Sequence, residues 1–467
     1  MRIVGIETEY GVSAPGSELG PEVLSELVIR ALAPVVPDRV TVAAAKLGPE
    51  DLAANRVLWN GARAYVDHAH PEYSSPETAS PSQLVAYDLA GDRLFADAAK
   101  AVTDATGVEV RVYRNTTDGK GSSYGRHENH LVSRDTGWQK IVDVMTGFLV
   151  ARVPLVGAGR VGIGQRGERP GYQISQRADF LVTPIGLQTT HDRPILNTRD
   201  EPHADPRRWR RLHVITGDPA FNEVQTWLTV GSASLVLAAT EAGAVVPVRW
   251  ANPVLALQSF SHDTTMATTA ETVDGRRLTC LDGMELYLEA VEAFVANAGE
   301  AWGDGTGQLL AAWRQLLDDL RSEPSATADR LDWVAKLRLL DGLRSRAACG
   351  WDDHRLAALD LLWADLERSP AHGLAARGAS RRVVTDDQID SATTEPPPDT
   401  RAWLRGTLVR RFPDDVASAS WDDLLLRRRG GRLQHLPMPD PLGYSRASVP
   451  AAASCPDLDA LISSLGR

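Results

Sequence analysis

Polar and apolar residues alternate through MRIVGIETEYG at positions 1–11, and this period of two predicts a strand. Val4, Ile6 and Thr8 fall on one face, Gly5, Glu7 and Glu9 on the other. Over 21–33 the apolar positions Val23, Leu24, Leu27, Val28 and Leu32 follow helical spacing. Alternation returns over 55–69, a strand entering a tight loop, HPEYSSPE. There Ala62, Ala64 and Val66 share one face; Arg63, Tyr65 and Asp67 share the other. Residues 82–107 read as a helix with a glycine near its middle. Residues 108–113 and 127–133 read as strands joined by a loop rich in Gly, Ser, Asn and Asp. Amphipathic helices are expected over 139–153 and 218–243, and a mostly helical stretch over 285–367.

Strands mixed with helices, without regular crossovers, predict an α+β fold rather than a doubly wound sheet. TTEPPPD at 393–399 breaks the pattern, because consecutive prolines stop a helix and favour an extended spacer. The expected partition is a large domain, 1–395, and a small C-terminal domain, 396–467. About 70 residues are few for an autonomous core, so this tail is expected to pack on the rest.

Composition narrows the classes. Hydrophobic residues make up 43% of 467, enough for a sizeable core. A net charge of -11 argues against a general nucleic-acid binder. The three cysteines, Cys280, Cys349 and Cys455, are widely spaced, which speaks against a disulfide framework and fits a reducing cytoplasm. No apolar run is long enough to span a bilayer, and Glu7 and Glu9 interrupt any signal-like core.

The chemistry lies in strands that carry ionisable residues on one face. If they pair, Glu7, Glu9 and Asp67 gather, and close like charges are costly without a cation. Hard divalent ions take oxygen ligands, and Mg²⁺ commonly joins carboxylates to nucleotide phosphates. The competing reading is a solvated face with ordinary ion pairs; Glu72 and Glu77 in the following loop weigh against it. His68 and His70 form an H-x-H pair, weak for zinc without a third ligand, and alternation sets them on the face opposite Asp67. DGKGSSYGRHEN at 118–129 lacks a Walker pattern but suits a backbone approaching phosphates. Its alternation groups His127 with Asn129 and leaves open whether they or Glu128 face the site. NTRDEPHAD at 197–205 precedes Arg207, Arg208, Arg210 and Arg211, arginines suited to carboxylate or phosphate. Gly157–Gly162 satisfies GxGxxG, but IGQRGERPG follows and is a poor helix, so no dinucleotide fingerprint is assigned. No G-x-S-x-G elbow is present.

GIETEYG, NGARAYVDHAHPEYSSPE, DGKGSSYGRHEN, ISQRADF, NTRDEPHAD with RRLHV, DWVAKLRLLDG and ASWDD occur in order along the chain. In these motifs it resembles the family that contains the ligase and the depupylase/deamidase of the prokaryotic ubiquitin-like protein, Pup. The resemblance implies a large domain similar to glutamine synthetases and carboxylate–amine ligases, with a curved, mainly antiparallel sheet backed by helices. It implies ATP and Mg²⁺ as cofactors: Glu7, Tyr65 and Glu72 as metal ligands, Arg63, Ser75 and Trp421 as nucleotide contacts, and Asp67 as the catalytic carboxylate. His127, Arg177 and His203 match polar residues around the nucleotide and reaction centre.

VDHAHPEYSSPE and NTTDGKGSSYG lean towards the hydrolytic members; the short segment 40–55 departs from their usual long loop. The implied reaction is deamidation of the C-terminal Gln of Pup and cleavage of the Pup–lysine isopeptide bond; the alternative is ligation with ATP consumption. For hydrolysis, Asp67 activates water or attacks the carbonyl, or a retained phosphate attacks; these stay open here. A catalytically dead binder is disfavoured by the intact Glu7, Tyr65, Asp67 and Glu72. The implied partners are Pup and pupylated proteins, with a link to the bacterial proteasome and no nucleic acid or membrane, the chain acting as a monomer. An acidic partner would need a basic groove; Arg207, Arg208, Arg210, Arg211, Arg377, Arg381 and Arg382 are its candidates.

Overall fold

The computed structural model describes residues 2–32, 55–298 and 305–465. The expected helix end at 33 and most of the segment 40–55 lie outside them. The chain divides into two compact units. One comprises Ile3–Tyr113, Glu201–Trp209 and Val384–Arg467; the other comprises Met1–Arg2, Arg114–Asp200 and Arg210–Val383. This division is by compactness and cuts the chain elsewhere than the 1–395 and 396–467 partition, which stays a proposal.

The first unit opens with β1 (Val4–Glu9), β2 (Gly11–Ser13) and α1 (Pro21–Ala31). Next come β3 (Asn55–Val57), β4 (Arg63–Asp67), β5 (His70–Ser74), α2 (Pro81–Thr106) and β6 (Arg111–Tyr113). Its strands run β1-β5-β4-β3, every pair antiparallel. The single strand expected over 55–69 is thus two, folded at a turn where the Asn60 side chain accepts from the Ala62 N–H at 3.0 Å. The expected HPEYSSPE loop is corrected as well, since its first half is strand β5. Pro and Ser read locally as a loop, but β5 finds ladder partners on both sides.

One face of this sheet is covered. Thr8, Tyr73 and Ala64 lie opposite one another in adjacent strands and are buried, with α1 against β4 and β5 and α2 against β1. Helix α2 begins at Ser80, whose hydroxyl accepts from the Gln83 N–H at 3.2 Å. The mid-helix glycine is Gly91. A Cβ there would sit 2.5 Å from Cδ1 of Tyr73, so the helix approaches the sheet only because that position has no side chain.

In the second unit, β7 (Arg126–Ser133), α3 (Trp138–Ala151), β8 (Arg160–Ile163) and β9 (Arg169–Gln173) are followed by β10 (Leu181–Gly186), β11 (Arg193–Asn197) and β12 (Trp209–Gly217). The order β10-β11-β12-β7 holds there, with β10 and β11 parallel. The glycines at 157–162 lead into the β8–β9 hairpin, not a helix, in keeping with the rejected dinucleotide reading. The helix expected from 218 starts later, at α4 (Glu223–Glu241), because the Asn222 side chain caps it on the Val224 N–H. A hairpin of β13 (Thr269–Glu271) and β14 (Arg277–Thr279) precedes α5 (Cys280–Ala298) and α6 (Thr306–Ser322). Phe148 of α3 packs edge-on to Tyr287 of α5 at 5.3 Å and Trp313 of α6 at 6.2 Å, the middle of a large apolar core. No helix among the described residues is long and apolar enough to cross a membrane.

The chain returns to the first unit with α7 (Asp386–Thr394), α8 (Ala402–Arg411), β15 (Val416–Ala419), β16 (Asp423–Arg427) and β17 (Leu433–Pro437). Leu404, Leu408, Leu424, Leu436 and Ile462 form a core of their own, on which Val57 and Trp59 from the β3 end also pack.

Candidate active site

Strand register builds the site face of the first unit. Glu7 of β1 lies opposite Ser74 of β5, which lies opposite Arg63 of β4. In the next row, Glu9 lies opposite Glu72, and Glu72 opposite Tyr65. Asp67 lies opposite His70 at the end of the β4–β5 hairpin. The two strands singled out by alternation therefore do not pair directly; β5 lies between them and adds Glu72 and Ser74 to the same face. His70 shares the face of Asp67, against expectation, because the turn at His68 and Ala69, both at positive φ, reverses the chain and breaks the alternation. His70 Nδ1 lies 3.0 Å from the Tyr10 carbonyl, His68 Nδ1 lies 2.8 Å from Asp67, and neither histidine joins a metal-type cluster among the described residues.

The carboxylates differ sharply in surroundings. Glu9 and Glu72 are buried, whereas the Asp67 side chain is 43% exposed. One oxygen each from Glu9, Asp67 and Glu72 lies within 4.8 Å of the other two. Burial, with the Glu7 and Glu9 carboxylates beside it, pushes the Glu72 carboxyl well above the usual carboxylate range. The Tyr65 hydroxyl donates to Glu72 and lies 3.1 Å from the Ser74 hydroxyl; burial, then Glu72 and Glu7, raise its phenol well above the ordinary value. This set of hard oxygens, short of positive charge, fits a divalent cation such as Mg²⁺.

Beside the carboxylates, Arg63 lies over the Trp421 ring, 5.7 Å from its centroid, and donates to the Asn55 side chain at 3.0 Å. Its Nε is buried with no hydrogen-bond partner among the described residues, and burial lowers its pKa. A buried guanidinium N–H left over in this way suits an anionic acceptor such as a phosphate. The Ser75 hydroxyl accepts from the Ile6 N–H at 2.9 Å and donates to the Pro76 carbonyl at 3.2 Å, tying β1 to the end of β5. Glu77, expected in a loop beside the site, is held by Arg401 and Arg405. Burial pushes its carboxyl up, but the two guanidinium groups outweigh that and hold it at about 2. His203 is exposed in the first unit, at φ 45°.

His127 and Arg177 belong to the second unit, where they flank Gly125. The β7 alternative is decided by partners: Glu128 is bound by Arg152 at 2.6 and 3.1 Å and pairs with His130, so it faces the buried interior. Burial pushes Glu128 up, and Arg152 and His130 bring it down to about 2. On the other face, the Asn129 amide oxygen accepts from Arg211 at 3.0 Å and lies 2.9 Å from His213 Nδ1, and the His127 ring packs edge-on to His213 at 4.8 Å. His213 stands in RRLHV without a sequence signal that sets it apart; alternation places Glu9 on the site face, and Arg405 carries no local signal. The basic-groove expectation gains little. Arg207 is chelated by Asp205, Arg381 pairs with Asp329 and Arg382 with Glu223, so their charge is largely spent locally.

A mainly antiparallel sheet bearing a carboxylate cluster, an unsatisfied buried arginine and a tryptophan wall describes a cation- and anion-binding site of the kind used for acyl or phosphoryl chemistry. The family described as "Pup-ligase protein" matches residues 2–425, and the chain belongs to that family. It is 40% identical, over 96% of each chain, to a Mycobacterium tuberculosis protein named Pup deamidase/depupylase. Among solved structures it is similar to the complex between prokaryotic ubiquitin-like protein Pup and its ligase PafA, with a TM-score of 0.84 and 30% identity over all of this chain and 91% of that one. It is also similar to the Pup ligase PafA in complex with ADP, with a TM-score of 0.76 and 31% identity over 88% of this chain and 91% of that one.

Proposed function

We propose that this chain is a cytoplasmic hydrolase that, with Mg²⁺ and ATP bound as cofactors, deamidates the C-terminal Gln of Pup to Glu. By the same chemistry it cleaves the isopeptide bond joining Pup to lysines of pupylated proteins, in the bacterial proteasome pathway. Family membership and the relative named for both activities support the reading. The observation that carries it is the contrast between exposed Asp67 and buried Glu9 and Glu72 on one sheet face. Glu7, Tyr65 and Glu72, with Glu9, are suited to hold the cation, and Arg63, Ser75 and Trp421 the nucleotide. His127, Arg177 and His203 are assigned to the surroundings of the nucleotide. When bound, the cofactor supplies positive charge that offsets negative charge developing on the carbonyl oxygen. Asp67 is the carboxylate within reach of a macromolecular substrate. As general base it takes a proton from water while the water oxygen attacks the carbonyl carbon. Collapse breaks the C–N bond, and the leaving nitrogen takes the proton back. The amide and the isopeptide differ only in that leaving nitrogen, ammonia in one case and a lysine amine in the other.

The test is turnover with Pup ending in Gln and saturating Mg²⁺–ATP. Ammonia release and conversion of the terminal Gln to Glu are expected. Absence of deamidation, with a Pup–protein conjugate formed from Pup ending in Glu as ATP is consumed, would overturn the reading in favour of a ligase.

A further inference from the structure

Arg405 is fully buried, and each of its five guanidinium N–H groups has an acceptor. Nε donates to the Gly61 carbonyl at 3.0 Å and one terminal nitrogen donates to the same carbonyl at 2.7 Å. The remaining N–H groups go to the two oxygens of Glu77 and to the Trp421 carbonyl, the last at 2.8 Å. With its donors spent, Arg405 has none left for a phosphate. What it offers is its flat face, which lies over the Trp421 ring at 4.9 Å. The same ring carries Arg63, whose Nε has no acceptor among the described residues. Beneath them Glu77 also receives Arg401 Nε at 2.7 Å, and Arg401 donates in turn to the Met438 carbonyl at 2.7 Å. Close backbone approach supports this arrangement, since a Cβ at Gly406 would lie 2.4 Å from the Trp59 carbonyl oxygen. A carboxylate of β5's trailing loop therefore fixes two arginines of the C-terminal segment, and one of them fixes both the backbone and the ring of Trp421.

We infer that Glu77 is a positioning residue for the nucleotide site, acting through Arg405 to hold the Trp421 wall against Arg63. The inference rests on the proposed reading of Trp421 and Arg63 as nucleotide contacts. The Glu77 oxygens are taken up by Arg401 and Arg405, so its effect on nucleotide passes through the ring. Glu77→Gln keeps the shape and removes the charge that organises both arginines, whereas Arg405→Lys keeps the charge and loses the fork.

The experiment is ATP binding by calorimetry on the full chain for wild type, Glu77→Gln, Trp421→Ala and the double variant, with KM for ATP and kcat measured in parallel. Glu77→Gln should weaken ATP about tenfold, or about 1.4 kcal/mol. The loss should fall on KM more than on kcat, and the double variant should bind no more weakly than Trp421→Ala alone. Unchanged affinity in Glu77→Gln, or a loss that adds in full to that of Trp421→Ala, overturns the inference while leaving the nucleotide reading standing. Unchanged affinity in Trp421→Ala instead overturns the reading on which it rests. If Glu77→Gln does not fold, Arg405→Lys takes its place in the same cycle with the same expected outcomes.

Discussion

Asp67 and Glu72 are carboxylates on one sheet face whose surroundings divide the work between them. Glu72 is buried against Glu7, Glu9 and Tyr65, and two negative charges cannot sit there cheaply. Such a group is suited to hold a cation and poorly suited to meet a protein substrate. Asp67, at the mouth of a two-residue turn, has the opposite exposure. Asp67→Asn keeps its volume and removes its basic lone pairs. It is expected to slow amide cleavage by about 10²–10⁴-fold. Nucleotide affinity should fall far less. Single-turnover cleavage at saturating Mg²⁺–ATP measures this, and a rate near wild type would remove Asp67 from the chemistry.

At the scale of elements, α2 and β5 meet at Gly91 and Tyr73. Alanine is the better helix former by about 1 kcal/mol in a free helix. Here its Cβ would intrude on a ring fixed by its cross-strand neighbours Thr8 and Ala64. Gly91→Ala should therefore destabilise the chain by about 1–3 kcal/mol, the usual cost of overpacking. Urea unfolding of the variant decides it, and a stability gain would show that helix propensity outweighs packing. Elements with strong internal period were legible in the sequence: α1 and α2 stand close to their expected limits, β1 lies within its expected span, and Glu7, Arg63, Tyr65 and Asp67 share the face that alternation gave them, although the strand expected over 55–69 is split into β3 and β4. What was hidden depends on partners distant in sequence. Strand β5 looks like a loop because its ladder comes from β1 on one side and β4 on the other. The face of Glu128 is set by Arg152, just past the end of α3. Arg405 lies 328 residues from Glu77, and no local pattern announces such a pair.

Across the whole molecule, each compact unit carries a carboxylate held near 2, Glu77 in one and Glu128 in the other. A glutamate in an unfolded chain titrates near 4.3, so both groups bind protons more readily once the chain unfolds. Their contribution is complete above that ordinary value and is lost as pH falls through it towards 2. Each is on the order of 3 kcal/mol. Glu72, held high, works in the opposite direction and in a different window: its cost is relieved as pH falls towards that ordinary value, before the losses at Glu77 and Glu128 begin. The stability gap between wild type and Glu128→Gln, measured by denaturant melts, should narrow as pH drops from 4.5 towards 2; a constant gap would mean that the ion pair is not what keeps Glu128 ionised. The long reach of the Glu77 clamp also has a temporal side. A ribosome delivers Glu77 324 residues before Arg401. At about 5–20 residues per second, that leaves the carboxylate waiting roughly 15–65 s for its first guanidinium. Until then the β5 loop has a charge it cannot bury, so this corner of the unit closes late during synthesis, and the Trp421 ring is among the later parts of the newborn chain to be held in place.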